Sequence, residues 1–90
     1  MSGQTEPSWA VIVPPKVERA IARLPRPERE HLLQAVRQLT RGPFGPHVKR
    51  LAGRPEWRLR VGNRRVLFRV DEQARVVVVT RIGPRGDVYK

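Results

Sequence analysis

The stretch EWRLRVGNRRVLFRV, residues 56–70, decides the fold. Read at a strand's period of two, its first half sets Trp57, Leu59 and Val61 against Arg58 and Arg60. The second half sets Val66, Phe68 and Val70 against Arg65, Leu67 and Arg69. Between them, Gly62-Asn63 is a two-residue hairpin loop of the kind that accepts positive φ, so Val61 is expected to pair with Arg64. That register puts Trp57 opposite Phe68 and Leu59 opposite Val66 on an apolar side. On the other side it puts Arg60 opposite Arg65, and Arg58 opposite Leu67. Like charges directly opposite on a sheet cost from a few tenths to roughly 1 kcal/mol per pair. Local stability therefore did not select this face, and a departure from local rules marks a functional surface. A cluster of guanidinium groups points to bound phosphate.

The segments around the hairpin supply its cover. Upstream, WAVIV at 9–13 is apolar at every position, which reads as a strand covered on both faces, and Pro14-Pro15 stops it. From Lys16 to Leu24, the residues Val17, Ala20, Ile21 and Leu24 recur at helical spacing, with Pro25 as terminator. A second helix is expected from Pro27, with Glu28 and Glu30 near its N-terminal dipole and Leu32, Leu33, Ala35, Val36 and Leu39 as its buried stripe. RGPFGP at 41–46 ends it, and His47 and Lys49 fall in the loop that follows. His31, on the second helix, reads as a surface residue. Downstream, a third meander strand runs from Val76 to Ile82. If Val70 pairs with Arg75, the loop DEQA has four residues, Phe68 meets Val77, Val66 meets Val79 and Arg65 meets Thr80. The expected architecture is α+β. It has an N-terminal strand, a helical hairpin and a three-stranded antiparallel meander, with the helices on one face of a four-stranded sheet. Residues 1–8 lack an apolar pattern and are expected to be disordered, leaving 9–90 as one domain.

Composition narrows the function classes. Ninety residues make one small domain that buries only about 60–65% of its unfolded surface. With no cysteine, disulfide frameworks and thiolate metal sites are excluded, and a reducing cytoplasmic setting is expected. The two histidines, far apart in the chain, offer no zinc spacing, and no glycine-rich loop leads into a helix, so no metal or cofactor is expected. No run approaches the length of a membrane span or a secretory signal. Lys+Arg 19 against Asp+Glu 8 gives a net charge of +11, a footprint for a polyanion or an acidic protein.

The blocks VKRLAG…WRLRVGNRRVLFRVD and RIGPRGDVYK, with the spacing between them, resemble the RelE/ParE superfamily of type II toxins, most of all the RelE-like messenger-RNA endonucleases. The resemblance runs from Trp9 to Tyr89. It implies a metal-independent, ribosome-dependent RNA cleavage in which the substrate's 2′-hydroxyl attacks. It carries site roles onto Arg58 and Arg60, where relatives often have Lys, and onto Arg65, Arg85 and Tyr89. The four arginines would stabilise the phosphorane. A guanidinium does not serve as general base, so that role falls to Tyr89, whose phenol is acidified by neighbouring cations, or to His47 or Lys49. The implied partners are messenger RNA, the ribosome and a cognate acidic antitoxin. The free toxin is expected to be monomeric and its antitoxin complex of higher order. Two other readings stay open: a ParE-like gyrase inhibitor of the same fold, and a non-catalytic nucleic-acid-binding module.

Overall fold

The computed structural model describes residues 9–84. Arg85 and Tyr89 lie outside them, as does the segment 1–8 expected to be disordered. The elements follow in the order β1 (Ala10–Ile12), α1 (Pro15–Ala22), α2 (Arg26–Gln38), a 3-10 turn (Leu39–Arg41), β2 (Val48–Arg50), β3 (Trp57–Val61), β4 (Arg64–Asp71) and β5 (Val76–Pro84). Proline punctuates both helices. Pro15 and Pro27 stand in the first turns of α1 and α2, where a missing N–H costs nothing, and Pro14 and Pro25 hold extended backbone just before each start. Val17 and Ile21 of α1, and Leu32 and Val36 of α2, point into the core, which Leu39 continues through the 3-10 turn.

The sheet has five strands in the order β1-β5-β4-β3-β2, with β1 parallel to β5 and the other pairs antiparallel. The four-stranded expectation is corrected by β2. Val48, Lys49 and Arg50 pair with Leu59, Arg58 and Trp57, so Lys49 sits on an edge strand rather than in a loop. Residues 51–56 fold back to make this pairing, with the Leu51 amide donating to the Glu56 carbonyl at 3.1 Å. Three residues of mixed polarity carry no periodicity of their own, so their strand character comes from β3. The N-terminal strand is also not covered on both faces. As an edge strand, β1 turns only Val11 toward the helices, and Ala10 and Ile12 are exposed.

The β3–β4 register is the one the hairpin chemistry dictates: Val61 with Arg64, Arg60 with Arg65, Leu59 with Val66, Arg58 with Leu67 and Trp57 with Phe68. Gly62 has φ +58° while Asn63 does not enter the left-handed region, the hand of a turn with glycine first. A Cβ on Gly62 would meet only the His31 ring, at 3.8 Å, so backbone conformation rather than space requires the glycine.

The second hairpin departs from its expected register. Asp71 pairs with Val76, Val70 with Val77 and Phe68 with Val79, two residues further along β5 than expected. The loop is therefore 72–75. It closes because the Ala74 amide donates to Asp71 Oδ1 at 3.1 Å and because Arg75 adopts φ +56°. A second change follows at Leu67/Phe68, where the register shifts, so that Leu67 pairs with Arg81, Val66 with Ile82 and Arg65 with Gly83. Thr80 is the extra residue of this bulge, and its hydroxyl donates to the Leu67 carbonyl at 3.2 Å.

Between helices and sheet lies one core of Val17, Ile21, Leu32, Val36, Leu39, Leu59, Val61, Val66, Phe68, Val77 and Val79. Trp57 packs at its margin, with its ring 4.9 Å from that of Phe44. Arg64 closes the hairpin end by donating from Nε to Glu28 Oε1 at 3.2 Å, with a second contact from Nη2. Because Glu28 is half exposed, this pair is screened, and Glu28→Gln is expected to lower stability by no more than about 1 kcal/mol in denaturant unfolding. The loss should shrink as salt is added.

Candidate functional site

The sheet face turned away from the helices carries the cations. Alternation along β3 puts Arg58 and Arg60 there, and the register adds Arg65 opposite Arg60. Lys49 of β2 pairs with Arg58 from the other side. His47, just before β2, accepts a backbone hydrogen bond from the Arg60 amide at 3.0 Å, which fixes it beside β3. Pro46, His47, Lys49, Arg58 and Arg60 together line one cavity of about 170 Å³. Four of the sequence-derived candidates are thus gathered around a space of small-ligand size, and the fifth, Arg65, stands across the ladder from Arg60. Arg85 and Tyr89 fall on residues that the structure does not describe.

Within this group the environments differ. Arg60, Lys49 and His47 are exposed, and Arg58 and Arg65 are half-buried. The Nε of Arg65 is buried and has no hydrogen-bond partner among the described residues. A buried donor left without a partner costs about 1–3 kcal/mol. The adjacent Arg64 makes the contrast. It points to the opposite face, and the chain gives it a carboxylate, Glu28. The other ion pairs among the described residues, Arg26 with Glu30 and Arg54 with Glu56, lie on α2 and in the 51–56 turn. Asp71 shares the cationic side of β4, but at its far end, where it caps Ala74.

Chemically, such a face suits a phosphodiester with developing negative charge. Several fixed donors stabilise a more highly charged transition state without reorganising at the moment of reaction. No three His, Cys, Asp or Glu side chains converge among the described residues in a way that would hold a metal ion. His47 and Arg60 also rim a larger groove of about 560 Å³ between α2 and β3, floored by Ala35, Leu39, Leu59 and Val61.

One cation on this face escapes a reading by alternation. Arg81 is the ladder partner of Leu67, which is itself the partner of Arg58, so it belongs to the same side. Strict alternation from Val77 and Val79 turns Arg81 toward the helices; the bulge at Thr80 reverses it. The available signal is the polar Thr80-Arg81 pair, which breaks an apolar run that resumes at Ile82.

Fold and site together define a small toxin of the RelE/ParE superfamily. The family model described as ParE toxin of type II toxin-antitoxin system, parDE, matches residues 11–89, and the chain belongs to that family. Solved structures agree. The RelE-RelB complex of the archaeon Pyrococcus horikoshii is 25% identical, with a TM-score of 0.77 over 90% of this chain and 99% of that one. The RelBE2 toxin-antitoxin complex of Mycobacterium tuberculosis is 23% identical, with a TM-score of 0.74 over 87% and 99%. The isolated RelE toxin of Escherichia coli is 18% identical, with a TM-score of 0.71 over 90% of each chain. No curated protein sequence matches. No helix among the described residues is long and apolar enough to cross a membrane.

Proposed function

We propose that this toxin is a metal-independent endoribonuclease that cleaves messenger RNA in the ribosome and is held inactive in the cytoplasm by an acidic antitoxin of the RelB type. The observation that carries this reading is the convergence of His47, Lys49, Arg58 and Arg60 on one cavity, with Arg65 across the ladder from Arg60. In the reaction, the 2′-oxygen forms a bond to the adjacent phosphorus as its proton passes to a base. The bond from phosphorus to the 5′-oxygen breaks, and the leaving oxygen takes up a proton, giving a 2′,3′-cyclic phosphate and a 5′-hydroxyl. Arg58, Arg60 and Arg65 stabilise the phosphorane, and Lys49 adds charge from the edge strand. An imidazole can both accept and give a proton, which puts His47 before Lys49 as the base candidate among the described residues. Tyr89, carried over from the resemblance, is its rival.

A second reading, inhibition of DNA gyrase by binding, is favoured by the family match to ParE toxins. The purified protein, added to ribosomes loaded with message and separately to a gyrase supercoiling assay, decides between them. Discrete new 5′ ends in the message, with supercoiling unchanged, are expected. Intact message with supercoiling blocked would replace the nuclease by the gyrase inhibitor, and neither effect would leave a nucleic-acid-binding module. Cleavage should persist in EDTA at magnesium levels restored just enough to keep ribosomes assembled.

A further inference from the structure

The cationic face reaches one strand beyond the cluster around the cavity. Lys49, Arg58, Leu67 and Arg81 are ladder partners in turn, so they form a single row running across β2, β3, β4 and β5. At the usual strand spacing of about 4.8 Å, this row measures roughly 14 Å from Lys49 to Arg81. Leu67, between Arg58 and Arg81, is 1% exposed, so its side chain is covered on this face. The parallel row of Arg60, Arg65 and Gly83 has no side chain at its β5 position. Strand β1 ends opposite Val78, so beyond that residue β5 is the edge of the described sheet, and the exposed Arg81 stands on its rim.

We propose that Arg81 forms a second phosphate subsite. It takes the backbone phosphate that flanks the one held by Arg58, Arg60 and Arg65, in a single-stranded RNA lying across the strands rather than along them. This rests on the endoribonuclease reading and gives the substrate a direction on the sheet. Two strand spacings, about 10 Å at the backbone, separate Arg58 from Arg81. Two groups so placed can each hold a phosphate of one strand, and the salt slope reports whether they do. The bulge supports the same assignment. Inserting Thr80, pinned by its hydroxyl to the Leu67 carbonyl, is what turns Arg81 outward, and bulges re-aim side chains in this way beside sites.

The test is binding of the full chain to a short 2′-O-methyl oligoribonucleotide, which has no nucleophile, followed by fluorescence anisotropy over a salt series. For single strands, each phosphate contact contributes about 0.7 to the slope of log affinity against log salt. Arg81→Gln should weaken binding and reduce the slope by about 0.7. Arg81→Lys should keep the wild-type slope. Arg26→Gln, which removes the same charge from α2 where Arg26 pairs with Glu30, should leave the slope unchanged. If Arg81→Gln behaves as Arg26→Gln does, the subsite is wrong and the endoribonuclease reading stands. If the wild type shows no salt-dependent binding, that reading and the subsite fall together.

Discussion

Arg65→Gln is expected to raise folding stability by up to about 1 kcal/mol while lowering single-turnover cleavage by about 10²–10³-fold. Both signs follow from one geometry. Arg65 stands directly opposite Arg60 in the β3–β4 ladder, with no opposite charge beside it among the described residues, so removing its charge relieves repulsion. Its buried Nε, which has no hydrogen-bond partner among the described residues, adds to that cost. On the proposed endoribonuclease mechanism the same guanidinium meets a phosphorane in the transition state, so its loss would remove a preorganised donor where negative charge develops. The repulsive part should fade in about 1 M salt, where the screening length is near 3 Å, so the stability gain should be larger at low salt. Arg64→Gln provides the opposite pattern one residue away. It breaks the Glu28 pair, so it should destabilise slightly and leave cleavage unchanged. Denaturant unfolding and cleavage measured on the same two variants decide the matter. A destabilised Arg65→Gln protein with full activity would make the arginine face structural.

The hairpin at 56–70 was legible because two independent signals agree there. The Gly62-Asn63 turn fixes the register, and the period-two alternation fixes the faces. Every pair expected between β3 and β4 is present, and so is the gathering of Arg58, Arg60 and Arg65 on one side. Where only one signal is present, the pattern underdetermines the register. The 71–76 turn has no glycine to anchor it, and the chain instead forces Arg75 into the left-handed region with help from the Asp71 carboxylate, which moved the pairing by two residues. A shift of two preserves the faces, so Val77 and Val79 still point into the core. The bulge did not preserve them. One inserted residue reverses everything beyond it, which is why Arg81 was missed and Ile82 packs against the core. Strand β2 was invisible for a different reason. Three residues acquire strand geometry from a partner, and no local pattern records that. Its formation nonetheless places Lys49 and His47 beside Arg58 and Arg60, so the least legible element completes the cationic cluster.

Which group takes the 2′ proton is settled by a pair of variants. His47 shares its cavity with Lys49, Arg58 and Arg60, and its own carbonyl is hydrogen-bonded to the Arg60 amide, so its position is tied to β3 rather than left to the loop. If it is the general base, His47→Ala should lower single-turnover cleavage by about 10²-fold or more with little change in RNA affinity, since proton transfer is lost and the phosphate donors remain. Tyr89→Phe should then have a small effect. If the phenol is the base, the magnitudes exchange: Tyr89→Phe loses about 10²-fold and His47→Ala little. The two outcomes also differ in pH dependence: the variant lacking the base should lose the rise of rate with pH that the wild type shows, while the other keeps it. Arg58→Gln, measured alongside, should lower cleavage at every pH without changing the shape of the profile, because a guanidinium stabilises charge without exchanging a proton. A flat profile for the wild type would show that neither side chain is the base and that the phosphorane-stabilising cations carry the reaction alone.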